Sequence, residues 1–102
     1  MPEFSARLNA LKVRADFTVS DLAVWFERPR PTVHTWTQGR TPTGPAGRRA
    51  ERDLELLSIT LRTDKRLPVP ENLSITERPQ YVEKVRDDAR RSYRVPRVRV
   101  AV

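Results

Sequence analysis

The chain has 102 residues, 37% of them hydrophobic and 32% charged, with a formal net charge of +7 and a pI near 11.0, which bounds it to one small domain with a modest core and favours a polyanionic partner. It has no cysteine and a single histidine, His34, so disulfides, thiolate zinc sites, thiol nucleophiles, histidine-built metal sites and a His-dependent triad are excluded within one chain. No apolar run approaches the ~20 residues that cross a bilayer, and MPEFSARLNAL lacks the form of a signal peptide, so a soluble, cytoplasmic protein is expected.

Phe4, Leu8 and Leu11 form an i, i+4, i+7 stripe that predicts an amphipathic helix from residue 4 to about 14. Lys12 and Arg14 near its end suit the helix dipole or a phosphate equally well. Phe17 enters the core just before Thr18. Thr18 to Gly39 then reads as two short helices joined by a tight corner, and the rest of the chain is organised around this unit. Thr18 caps the first helix, Asp21 adds a favourable charge to its first turn, and Leu22, Ala23 and Phe26 recur at helical spacing. Pro29 ends that helix near Glu27 or Arg28. Pro31 fits the first turn of the second, and Gly39 supplies its left-handed stop. Val33 and Trp36 share the buried face, which leaves Arg30, Thr32, His34, Thr35 and Gln38 outward, a row able to donate or accept hydrogen bonds without negative charge.

Arg40 to Arg49, RTPTGPAGRR, is expected to be irregular for most of its length. Arg40, Arg48 and Arg49 either lie along a DNA backbone or solvate a linker. Ala50, Leu54, Leu57 and Leu61 mark a helix from about Gly47 to Arg62, with Leu56 and Ile59 on a second apolar face. That face is assigned here to a second subunit, the alternative being burial on two sides within one chain. LPVPENL is an extended connector. Thr76 caps a last helix, with Pro79 in its first turn, Tyr81, Val82, Val85 and Ala89 as its stripe, early Glu77 and Glu83, and closing Arg90 and Arg91. In the tail, Val98, Val100 and Val102 alternate with Arg99 and Ala101. Such a segment pairs with a copy or a partner's sheet edge, or remains a disordered basic arm. Asp87 and Asp88 point about 100° apart on a helix and read as a solvated face. GPAGRR lacks the lysine and hydroxyl pattern of a phosphate-binding loop. No catalytic constellation is present, so the chain is expected to be no enzyme and to need no cofactor or metal.

Leu22, Ala23, Phe26, Val33 and Trp36, with ten positions from Ala23 to Val33 and three more to Trp36, resemble the helix-turn-helix of phage repressors and related regulators. The resemblance covers about a fifth of the chain. It implies that a small residue sits where the helices cross and that the second helix enters the major groove of double-stranded DNA. Glu27 stands where that family usually has glycine and Pro29 where serine often caps, so a more gradual corner is expected. On this reading Arg30 and Gln38, then His34 and Thr35, contact base edges. Thr32, Arg28, Arg40, Arg48 and Arg49 hold the backbone.

Residues 1–49 hold eight Lys/Arg against four Asp/Glu, residues 50–91 nine against nine, and residues 92–102 three against none. The expectation is therefore an all-α protein, with a helix-turn-helix and basic loop over 1–46, a helical packing or oligomerisation region over 47–91, and a basic β-like or disordered tail over 92–102. Such a chain is a DNA-binding phage or bacterial transcriptional regulator acting as a homo-oligomer, a dimer first, with a possible protein partner for the tail. The same order of parts is similar in organisation to phage small terminase subunits, which form rings that recognise viral DNA and recruit a packaging motor. That is the alternative.

Overall fold

Proline placement, left-handed residues and one capping box set the helix boundaries. The computed structural model describes residues 3–93, and among them lie five helices and no strand: α1 Phe4–Ala15, α2 Val19–Phe26, α3 Arg30–Thr37, α4 Gly44–Thr63 and α5 Glu77–Ser92. The expected all-α class is what is found, and the alternating tail falls outside the described residues from 94 onward. No described helix is long and apolar enough to cross a membrane. Thr18 and Asp21 form a reciprocal capping box at the start of α2: the Asp21 amide donates to Thr18 Oγ1 at 3.1 Å and the Thr18 amide to Asp21 Oδ2 at 2.8 Å.

Two expected boundaries are corrected. α4 begins at Gly44 rather than near Gly47, with Pro45 in its first turn, where a missing N–H costs nothing. Only residues 40–43 are irregular, Arg48 and Arg49 are helical, and the division at 46/47 falls inside α4. At α5 the side chain that caps is Ser74 and not Thr76, which makes no such bond. The Glu77 amide donates to Ser74 Oγ at 3.2 Å and the Ser74 amide to Glu77 Oε1 at 3.1 Å. These bonds favour the charged form and lower the Glu77 pKa.

The core is one cluster to which all five helices and the connector contribute. Phe4, Phe26 and Trp36 meet edge to face, with ring centroids 5.7 Å apart for Phe4–Trp36 and 5.6 Å for Phe26–Trp36, the arrangement that aromatic quadrupoles prefer. This triangle joins α1, α2 and α3. Trp25, absent from the apolar stripe read in the sequence, is fully buried. Its indole N–H donates to the Asp53 carbonyl at 2.9 Å and its ring lies 5.9 Å from Phe17. α2 thus packs against α3 on one side and α5 on another. Leu54, Leu56 and Leu57 of α4 are all buried within the one chain, whereas Ile59, which shares the second apolar face with Leu56, is half-buried.

Buried charge ties the α2–α3 unit to α5. Asp21, 3% exposed in its side chain, receives Arg78 at 2.6 Å, and Arg78 also donates to the Asp16 carbonyl. Arg86 is buried too; it donates to the Val24 carbonyl and pairs with Glu27 and Asp87, both at 3.0 Å. Arg66 bridges Asp64 and Asp88 at 2.7 Å each and lowers both carboxyls. The stability those two lend is present above pH 3.8 and is lost as pH falls through their lowered pKa values.

Asp53 behaves in the opposite sense. It is buried, its Oδ2 has no partner, and the nearest cation, Arg90, stands 3.8 Å from Oδ1. Burial pushes its pKa up from 3.8 to about 6, against the pull of Arg90, with Glu27 adding to the rise. A folded-state pKa above the unfolded one means that stability falls as pH rises from about 4 to 6 and stays lowered above that, by about 3 kcal/mol at most. Asp53→Asn removes this penalty, so the variant should melt higher than the parent at pH 7.5, by about 4 to 8 °C per kcal/mol recovered, and equal it at pH 4. Calorimetry at the two pH values checks this; an Asp53→Asn variant that melts lower than the parent at pH 7.5 contradicts it.

Candidate nucleic-acid interface

The corner between α2 and α3 spans Glu27 to Pro29. Glu27 adopts the left-handed conformation, φ 52° and ψ 47°. The Arg28 amide returns to the Ala23 carbonyl at 3.1 Å and the Glu27 amide to that of Val24 at 3.3 Å, the Schellman pattern that glycine ordinarily closes. The expectation of a more gradual corner is thereby corrected. A Cβ in this region costs about 1–2 kcal/mol, and here the side chain responsible is held by Arg86 at 3.0 Å and Arg90 at 3.3 Å. Both cations come from α5, fifty-nine or more positions further along the chain.

α3 starts on the Pro29 carbonyl, which accepts from the amides of Thr32 and Val33. Pro29 and Pro31 remove two of the amides with which a helix start can hold an anion, so charge at this end comes from the Arg28 and Arg30 side chains. At the other end, Ser5 and Asn9 of α1 both donate to the Thr37 carbonyl, at 3.3 and 3.0 Å. Gly39, at φ 111°, then turns the chain. Val33 and Trp36 are buried, as expected. Arg30, His34 and Gln38 are exposed, and Thr32 and Thr35 half-buried. Thr35 donates its hydroxyl proton to the Thr32 carbonyl at 2.6 Å, so towards a base it is an acceptor.

Pro31 is exposed on the crest of α3, and two open grooves flank it. The first, about 470 Å³, runs between α3 and the start of α4; Arg28, Thr32, Thr35 and Arg40 line it together with Thr41 and Thr43. The second, also about 470 Å³, is lined by Val19, Arg30, Pro31 and His34. The structure therefore brings Arg28, Thr32, Thr35 and Arg40 to one side of the crest and Arg30 and His34 to the other. Gln38 borders neither groove, and Arg48 and Arg49 stand apart, exposed on α4.

Arginines and acids are unevenly distributed along the chain. Arg7, Arg66, Arg78, Arg86, Arg90 and Arg91 all have carboxylate partners. Among the described residues, Arg14, Arg28, Arg30, Arg40, Arg48, Arg49, Arg52 and Arg62 have none, nor have Lys12, Lys65 and Lys84, so six of these eight arginines fall between positions 28 and 52. The only acid between positions 28 and 52 is Glu51, which is occupied by Arg7 at 3.0 Å. Sequence reasoning missed Arg52, Pro31, Thr41 and Thr43. Arg52 was findable, since Arg48 and Arg52 share a helix face at i, i+4. The two threonines were not, because their place depends on how the 40–43 segment folds back.

That fold-back rests on Gly47. A Cβ there would stand 2.7 Å from the Pro42 carbonyl oxygen and 3.0 Å from its carbon, so only glycine lets the segment close against α4. No group of three or more His, Asp or Glu among the described residues could hold a metal ion. Comparison of the chain with protein-family models, with curated proteins and with solved structures finds no match. Gly47→Ala should cost about 1–3 kcal/mol by overpacking and displace Arg40, Thr41 and Thr43 together. Thermal melting and the amide spectrum of residues 40–44 check this, and an unchanged melting temperature contradicts it.

Proposed function

We propose that the chain binds double-stranded DNA sequence-specifically, with α3 in the major groove and the start of α4 along the sugar-phosphate backbone, and that it serves as a transcriptional regulator. The observation that carries the reading is the charge of positions 28–52: six arginines without carboxylate partners, at the α2–α3 corner, on α3, after it and on the first turns of α4, against one acid, Glu51, which Arg7 occupies. Exposed, unpaired guanidinium groups are what phosphates and guanine edges recruit. Arg30 and Gln38 read base edges, with His34 and Thr35 beside them; Thr32, Arg28, Arg40, Arg48 and Arg49 hold phosphates. The regulatory role follows from the likeness of the α2–α3 unit to phage repressors, and it requires a small set of defined sites in the source genome. An oligomer remains part of the proposal, through the tail and the half-buried Ile59 of α4, and the packaging-ring adaptor is the alternative.

Fluorescence anisotropy of a labelled duplex against salt provides the test. With five phosphate contacts per subunit, log affinity should fall with log salt at a slope of roughly −4 to −5. Arg28→Ala, Arg40→Ala, Arg48→Ala and Arg49→Ala should each make the slope shallower by about one. Arg91→Ala, on the paired face, should leave it alone. Equal slopes for all five variants would remove this face from the interface.

A further inference from the structure

The two grooves beside Pro31 differ in chemistry, and the difference bears on which bases are read. The groove towards α4 offers two arginines and the hydroxyls of Thr32, Thr41 and Thr43 to phosphate oxygens, with Thr35 committed to the Thr32 carbonyl and with Trp36, Pro42 and Ala46 as its apolar wall. The groove on the other side has Val19 and the Pro31 ring, with Arg30 and His34 as its donors, and no carboxylate among its lining residues. Val19 and Pro31 cannot hydrogen-bond an anion through their side chains. The groove is also open, so it does not enclose a free small molecule. On the edge of a base pair in the major groove the one apolar group is the 5-methyl of thymine.

We infer that the groove of Val19 and Pro31 receives the C5-methyl of a pyrimidine, thymine in unmodified DNA, while Arg30 donates to the O6 and N7 of an adjoining guanine. This rests on the DNA-binding reading above and extends it to a base preference. Charge complementarity supports it, because the groove lies among the unpaired arginines of the same face. Val19 and Pro31 become specificity-determining residues, although neither makes a hydrogen bond to DNA.

The probe is a random duplex library, selected with the full chain and sequenced; the recovered duplex is then remade with deoxyuridine in place of each thymine in turn. Removal of one methyl from one position should weaken binding about three- to fivefold. Val19→Ser and Pro31→Ser proteins, which leave no methyl in the groove, with unchanged circular dichroism and melting, should show no such difference between thymine and deoxyuridine. Remaking the duplex with 5-methylcytosine at each cytosine separates the two methyl sources: tighter binding there, with deoxyuridine neutral, keeps the groove as a methyl site and assigns it to methylated DNA. A selected duplex indifferent to every methyl overturns the inference and leaves DNA binding standing. A library from which nothing is enriched overturns both.

Discussion

The left-handed conformation of Glu27 fixes where α3 points, and it is maintained from behind. Two bonds from the backbone of Glu27 and Arg28 close α2, and two arginines of α5 hold the Glu27 carboxylate. One of them, Arg86, is buried and also takes the Val24 carbonyl at the end of α2, a carbonyl near the negative pole of that helix where a cation is favoured. Exposed ion pairs contribute little on their own, about 0–1 kcal/mol. The arrangement matters because Arg86 satisfies several acceptors while burying its stem, and a buried arginine stripped of them is costly. α5 is therefore the brace of the α2–α3 corner, with Arg78 on Asp21 bracing the start of α2 in the same way.

α5 commits Arg78, Arg86, Arg90 and Arg91 to carboxylates, four of its five cations, and leaves Lys84 exposed. Positions 28–52 keep all six of their arginines unpaired. One division of the sequence produces both results: the acids are concentrated after position 50, and the helices that carry them fold back on one another or on the α2–α3 corner, leaving positions 28–52 with Glu51 alone. A surface so arranged repels itself unless a polyanion neutralises it.

Local chemistry was legible in the sequence, and long-range chemistry was not. The Thr18 cap, the stripe of α1, the buried Val33 and Trp36 and the two-helix reading of 18–39 all follow from spacing and from proline and glycine placement. Ser74-x-x-Glu77 is also a capping-box signature, but Thr76 stands nearer the periodic residues and competes with it as a cap. Trp25 lies off the main stripe of α2; its burial depends on α2 being enclosed on more than one side, by helices that arrive later in the chain. Glu27 shows the same limit more sharply: by its own propensity it argues against positive φ, and the backbone bonds that close α2 together with the α5 arginines hold it there. The pairing of Asp21 with Arg78 crosses 57 positions, and nothing in periodicity encodes it. For the interface, the residue types on α3 were readable from the sequence. Their division between two grooves required the 40–43 segment to be seen against Gly47.

The central claim, that the face of α3 and the first turns of α4 meets DNA, is tested most directly by amide chemical shifts of the full chain during titration with a duplex selected from a random pool. Shifts should concentrate in residues 28–52, strongest at Arg30, His34, Gln38, Arg48 and Arg52, with α5 and residues 64–73 nearly silent. Shifts concentrated on α5, or a spectrum that does not respond to the duplex, would contradict it.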